Sequence, residues 1–186
     1  LLGVVPSRGR CGGMVFVAQE CFEAGVTLPA GADSSTLPAR GSALERLIWR
    51  RQIESVVTRG ATNLLRFVRY TYERSDAPGG LHDATLRDLV PLFDLLRSGK
   101  TVPMGLVSAT GLAQLPRNHQ VLAYAAEFGH GSVTVRVYDP NHPGRDDVTL
   151  EIPLERGGPL AERIGRTTRA WRGAFVERRG GRTGCS

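Results

Sequence analysis

The sequence is short of cysteine, lysine, aromatic residues and long apolar runs, and each shortage excludes something. Its three cysteines, Cys11, Cys21 and Cys185, form no even set with regular spacing, so no disulfide framework is expected. No Cys-x-x-Cys or His-x-x-x-His pair occurs, which argues against structural zinc; neither metal nor cofactor is expected. The 24 cationic residues include one lysine, Lys100, and the arginines that make up the rest are scattered along the chain. Aromatics are only 6% of the chain, and no stretch interleaves them with basic residues as single-strand nucleic-acid binders need. The formal net charge of +6 therefore reads as a solvated basic surface and speaks against nucleic acid as the main ligand. Apolar runs break within a few residues, far short of the ~20 that span a membrane. Nothing in the composition fixes a compartment or an oligomeric state.

What remains is the composition of a globular domain, 41% hydrophobic and 23% charged over 186 residues. Residues 1–177 are expected to form one domain, and the glycine- and arginine-rich residues 178–186 a flexible tail. The first residue is leucine, so the chain is expected to be a piece of a longer protein. Residues 1–10 read as an irregular lead-in.

From Cys11 onward Met14, Val17, Ala18 and Cys21 recur at helical spacing, with Gly25 as the stop and Cys21 expected in the core. Residues 25–41 form a loop. Residues 42–57 predict an amphipathic helix with a Ser42–Glu45 capping box and Leu44, Leu47, Ile48 and Trp49 facing the core. Residues 63–74 predict another, with Leu64, Phe67 and Val68 on one face. A fourth helix is predicted over 84–98, capped by Asp83, with Leu86, Leu89, Val90, Phe93, Leu95 and Leu96 buried and Pro91 as a kink or break. The period then changes to two. Strands are predicted over 101–108, 119–128, 132–138, 147–152 and 174–177. The order, helices first and then antiparallel strands, predicts an α+β fold with segregated layers.

Three residues at element boundaries carry chemistry. Cys11 opens the first helix, where the dipole and unpaired N–H groups favour thiolate. Arg10 adds a neighbouring positive charge, and Gly12 and Gly13 leave room for a substrate chain. A small buried cysteine is the plainer reading of Cys11 by itself. His119 stands at the mouth of a strand, where an imidazole can titrate near neutrality; by itself it is an ordinary turn histidine. Asp139 ends the next strand and precedes a proline, which holds its backbone extended. If residues 119–128 and 132–138 pair as a hairpin turning at 129–131, their outer ends lie together and Asp139 can orient His119 toward Cys11. Asn141 is the rival third member; Asp139 is preferred because the strand ends there and a carboxylate stabilises imidazolium better. His82 precedes a helix whose cap is Asp83, His130 and His142 read as solvated turn residues, and Trp49 and Trp171 as packing anchors.

Cys-Gly-Gly at a helix start, then His-Gln-Val-Leu-Ala-Tyr, then Val-Tyr-Asp-Pro-Asn resembles the papain-like cysteine peptidase superfamily, closest to its bacteriocin-processing, double-glycine leader branch. The segment 95–106 resembles it too. The resemblance runs from about Arg10 to Leu150 and misses residues 42–80, which would be a helical insertion. It implies a papain-like fold, with N-terminal helices packed on a C-terminal antiparallel sheet. It also implies Cys11 as nucleophile, His119 as base and then acid, Asp139 as orienter, and a protein or peptide substrate. The sequence departs from the family at one point: a glutamine five or six residues before the cysteine helps form the oxyanion hole, and here those positions are Pro6 and Val5. Ser7 or Gln120 could supply the missing donor, whose loss can cost ~10²–10³ in rate. The expected activity is a thiol hydrolase acting on an amide bond, as peptidase or as protein deamidase or transferase. The alternatives are a papain-like binding or scaffold domain without turnover, and a basic partner-binding module.

Overall fold

The computed structural model describes residues 9–27 and 38–177, with the backbone alone for 56–61. The lead-in up to residue 8, with Ser7, and the tail 178–186, with Cys185, lie outside the described residues. Three helices come first: α1 (Cys11–Glu23), α2 (Ala43–Tyr72) and α3 (Leu81–Arg97). Seven strands follow: β1 (Val102–Val107), β2 (His119–Phe128), β3 (Ser132–Tyr138), β4 (Val148–Pro153), β5 (Leu160–Ile164), β6 (Thr167–Trp171) and β7 (Gly173–Val176). The fold is α+β, and every strand pair is antiparallel, in the order β6-β5-β4-β3-β2-β1-β7. No helix among the described residues is long and apolar enough to cross a membrane.

Residues 42–57 and 63–74 are one continuous helix rather than two. Gly60 lies between them, and a lone glycine costs only about 1 kcal/mol in a helix, too little to end one that packs along its length. Ser42 caps α2 by accepting from the Glu45 N–H at 3.1 Å; the Glu45 carboxylate reaches the N–H of Gly41 instead of Ser42, so only half of the expected box forms. The Arg172 guanidinium closes the other end, donating to the carbonyls of Tyr70, Thr71, Glu73 and Ala109. A cation there also suits the negative end of the dipole.

α1 is not a one-sided amphipathic helix. Val15 to Glu20 are buried without interruption, because α1 is wedged between α2 and the sheet. Val15, Phe16 and Ala18 pack on Leu122 and Tyr138, while Glu20 pairs with Arg51 at 2.8 Å on the α2 side. Cys21 is half-buried, so it belongs to the rim and not to the core.

α3 starts three residues earlier than expected and runs through Pro91. The carbonyl of Arg87, which Pro91 cannot serve, lies on an exposed stretch where water can take it. Gly80 is the N-cap; Asp83 instead reaches back from the first turn to the Gly79 N–H at 2.7 Å and pairs with Arg156. Leu89 and Leu92 point inward, but Val90 is 67% exposed because the buried face is set by the sheet beneath. β7 is an edge strand, and α3 covers it: Thr85 Oγ1 accepts from the Ala174 N–H at 3.0 Å and Asp88 Oδ2 from the Val176 N–H at 2.8 Å.

β5 and β6 escape an alternation reading, since β6 is exposed at four of its five residues. The chain passes from Trp171 at the end of one sheet edge to Gly173 at the start of the other through Arg172 alone. Two peptide units span at most about 7.6 Å. The sheet therefore curls until its edges meet at that corner. Its concave side holds Val121, Ala123, Val133, Val135, Leu150 and Trp171, roofed by Leu89 and Leu92 of α3.

Candidate active site

The register of the β2–β3 hairpin decides the site. From the turn, Phe128 pairs with Val133 and Ala125 with Arg136. Carried on unbroken, that register would set Asp139 opposite Leu122, on the face of the sheet away from His119. A bulge between Ala123 and Ala125 shifts the pairing by one, so Ala123 pairs with Val137 and Leu122 with Tyr138. Asp139, the next residue, then falls opposite Val121 and on the same face as His119, at the diagonal distance that neighbouring side chains bridge.

The bridge is made. His119 Nε2 and Asp139 Oδ1 are 2.7 Å apart, and both side chains are buried. The Asn141 N–H donates to the same carboxylate oxygen at 2.8 Å and fixes it. The Asn141 side chain is secondary: its amide lies 3.2 Å from Nε2, further than Asp139. Nε2 has one proton, and the shorter, charge-assisted contact takes it. His142, beyond the strand end, lies 3.8 Å from the other Asp139 oxygen and is half-exposed; His130 is exposed in the hairpin turn.

Cys11 opens α1, and its thiol comes close enough to the His119 ring to raise the ring's pKa. With Nε2 held by Asp139, Nδ1 is the ring nitrogen left for the sulfur. Cys11, His119 and Asp139 are thus brought together at one place. Burial opposes charge on the ring, but the hydrogen bond to Asp139 and then the nearby Cys11 outweigh it and raise His119 to about 10. Burial likewise opposes charge on Asp139, yet the His119 bond holds its carboxyl below the usual range. The pair is therefore imidazolium and carboxylate at neutral pH.

The neighbours of Cys11 differ from expectation in two ways. Arg10 is engaged elsewhere: its Nη1 lies 3.1 Å from Glu45 and its guanidinium sits over Trp49. Gly12 and Gly13 are filled by the protein rather than open to substrate. A Cβ at Gly12 would lie 2.1 Å from Gln120 Oε1 and 2.5 Å from Ser55 Oγ, and one at Gly13 would lie 2.2 Å from the Ile48 carbonyl oxygen. The glycines let α1 press against α2 and β2. The Gly13 N–H is capped by Gln52 Oε1 at 2.8 Å.

Gln120 is at the site, but it presents its oxygen there: Oε1 accepts from the Cys11 thiol at 3.7 Å, not the donor end that an oxyanion hole needs. Its Nε2 donates to Glu177 Oε1 at 2.6 Å. Behind His119 the Trp171 ring stacks with a 6.0 Å centroid separation, and Trp171 Nε1 donates to the buried Glu162 at 2.9 Å. Burial raises the Glu162 carboxyl, and the Asp139 charge raises it further. Trp171, Glu162 and Glu177 were not legible as site neighbours. Glu162 and Trp171 lie in β5 and β6 and Glu177 just after β7, and nothing local in 160–177 links them to residue 119. Among the described residues no group of three or more acidic, histidine or cysteine side chains is arranged to hold a metal.

No protein-family model, no curated protein and no solved structure matches the chain.

Proposed function

We propose that the chain is a papain-like thiol hydrolase domain acting on amide bonds through an acyl-enzyme on Cys11. The observation that carries this reading is a buried Asp139 that holds His119 Nε2 at 2.7 Å, with the Cys11 thiol at the helix start beside the ring. In the first step the Cys11 thiolate adds to the carbonyl carbon of the amide. His119 imidazolium gives its Nδ1 proton to the departing amine as the C–N bond breaks, which leaves a thioester. Water then gives a proton to neutral His119, adds to the thioester and releases the acid and Cys11. Asp139 keeps its charge throughout and holds the ring in place. Ammonia as the leaving group makes the reaction a deamidation, and an amine in place of water makes it a transfer.

The experiment is alkylation of the full chain with iodoacetamide, read by peptide mass spectrometry. Cys11 should react faster than Cys21 and Cys185, and His119→Ala should abolish the difference. Equal labelling of the three cysteines defeats the mechanism. One observation favours a second reading, a binding or scaffold domain without turnover: positions 5 and 6, where the family carries a glutamine donor, are Val5 and Pro6. A Cys11 that alkylates fast but forms no thioester with any peptide or glutamine amide would select that reading.

A further inference from the structure

Gln120 sits between the Cys11 sulfur and Glu177, with Oε1 toward the sulfur and Nε2 toward Glu177, and its carboxamide can turn end for end in the same place. Gln120 and Glu177 are each only 4% exposed, and Glu177 Oε2 is buried without a hydrogen-bond partner. The contact from Gln120 Nε2 to Glu177 Oε1, at 2.6 Å, is shorter than the ~2.9 Å usual for N–H to oxygen, and a separation that short suits the hydroxyl-to-oxygen bond that the turned amide would make with a protonated Glu177. Gly12 leaves the amide no room to move away, since even a Cβ there would meet it. The choice is therefore between the two ends of the amide in one place.

We propose that Glu177 is a positioning residue that acts as a neutral acid, donating its O–H to the Gln120 oxygen and so turning the Gln120 NH₂ toward the Cys11 sulfur. That NH₂ is a donor on the reacting side of Cys11, where the sequence lacks the upstream glutamine of the family it resembles. It stabilises negative charge on the sulfur. This assignment rests on the thiol-hydrolase reading for its use, though not for its test. Ionised Glu177 has only acceptors. It must take the NH₂ for itself, and the Gln120 oxygen then faces the sulfur and opposes negative charge there.

Burial raises the Glu177 carboxyl to about 8, against the Gln120 hydrogen bond and the Arg66 charge, which lower it. Arg66 comes from α2, donates to the Val176 carbonyl and is itself paired with Asp88 of α3 at 2.5 Å, so its charge is largely taken. Across the amide from Glu177 stands Cys11 of α1, and His119 precedes Gln120 in β2. The Gln120 end turned toward sulfur should therefore change as pH rises through about 8.

The test uses the full chain and two readouts that need no turnover. In the first, the side-chain NH₂ resonances of Gln120, assigned by their loss in Gln120→Met, should move with a midpoint near 8 and stay fixed in Glu177→Gln. In the second, Glu177→Gln, which is neutral at every pH and can still donate, should match wild type in Cys11 alkylation near about pH 6. By about pH 9 it should be faster by about tenfold, the worth of one charge-assisted hydrogen bond to sulfur. In a Gln120→Met background that pH-dependent difference should fall below about twofold. Static Gln120 resonances between about pH 7 and 9 in wild type overturn the proposal, and that measurement needs no variant to fold. A Glu177→Gln effect that persists undiminished in Gln120→Met also overturns it, because the charge would then act through space. If these couplings appear but no amide is turned over, the hydrolase reading fails and the positioning role stands; static resonances with a fast-reacting Cys11 give the reverse.

Discussion

Replacing Asp139 by asparagine separates charge from geometry at the centre of the site. Asp139 Oδ1 accepts from both His119 Nε2 and the Asn141 N–H, at 2.7 and 2.8 Å. An asparagine can keep its oxygen there and turn its NH₂ to the Oδ2 position, 3.8 Å from His142 Nε2. Both hydrogen bonds survive and only the negative charge goes. A hydrogen bond to a charged partner is worth about 1.5–3 kcal/mol and a neutral one about 0.5–1.5. The difference, about 1.5 kcal/mol, is about one pH unit. The His119 ring, raised to about 10 in the wild type, should then titrate at least about one pH unit lower. The assay is an NMR titration of the His119 ring. Asp139→Ala is the harsher companion: it strands a buried imidazolium and the Asn141 N–H, and should cost about 3–5 kcal/mol in urea unfolding. An unchanged His119 midpoint in Asp139→Asn refutes the assignment of Asp139 as orienter. A larger drop in Asn141→Ala would transfer that role to Asn141.

Stability should fall as pH rises toward about 10. His119 is raised in the folded state above its ordinary 6.5, so its pairing supports the fold fully below about 6.5 and is lost as pH passes about 10. Melting temperatures measured across that window should decline, and His119→Gln should flatten the curve. Gly13→Ala drives a Cβ to 2.2 Å from the Ile48 carbonyl oxygen and 3.0 Å from the Gln52 N–H, backbone atoms that cannot turn aside. A loss of about 1–3 kcal/mol in urea melts is expected, and a change under about 0.5 would mean the helices part freely. Trp171→Phe removes the donor to buried Glu162 and should cost about 1–3 kcal/mol, part of which Trp171→Phe with Glu162→Gln recovers. If the double variant is as unstable as the single, the loss comes from packing against His119 instead.

Local chemistry alone places most of the elements. The period-3.6 and period-2 patterns locate the helices and five of the seven strands, β2 and β3 to the residue, because neighbours along the chain decide those conformations. The sequence also puts Cys11, His119 and Asp139 at element ends. Whether they meet is a matter of tertiary structure. Without the bulge beside Tyr124, the hairpin that joins His119 and Asp139 would turn them to opposite faces, and no local signal announces a one-residue register shift. The use of Gly12 and Gly13 is likewise decided by α2 and β2, which fill the space their missing side chains leave. Glu162, Trp171 and Glu177 reach the site because the sheet curls until its first and last edges touch at Arg172. Closure of that kind depends on contacts more than 50 residues apart, such as Gln120 with Glu177 and Trp171 with His119, and those are properties of the packed chain, not of any segment of it.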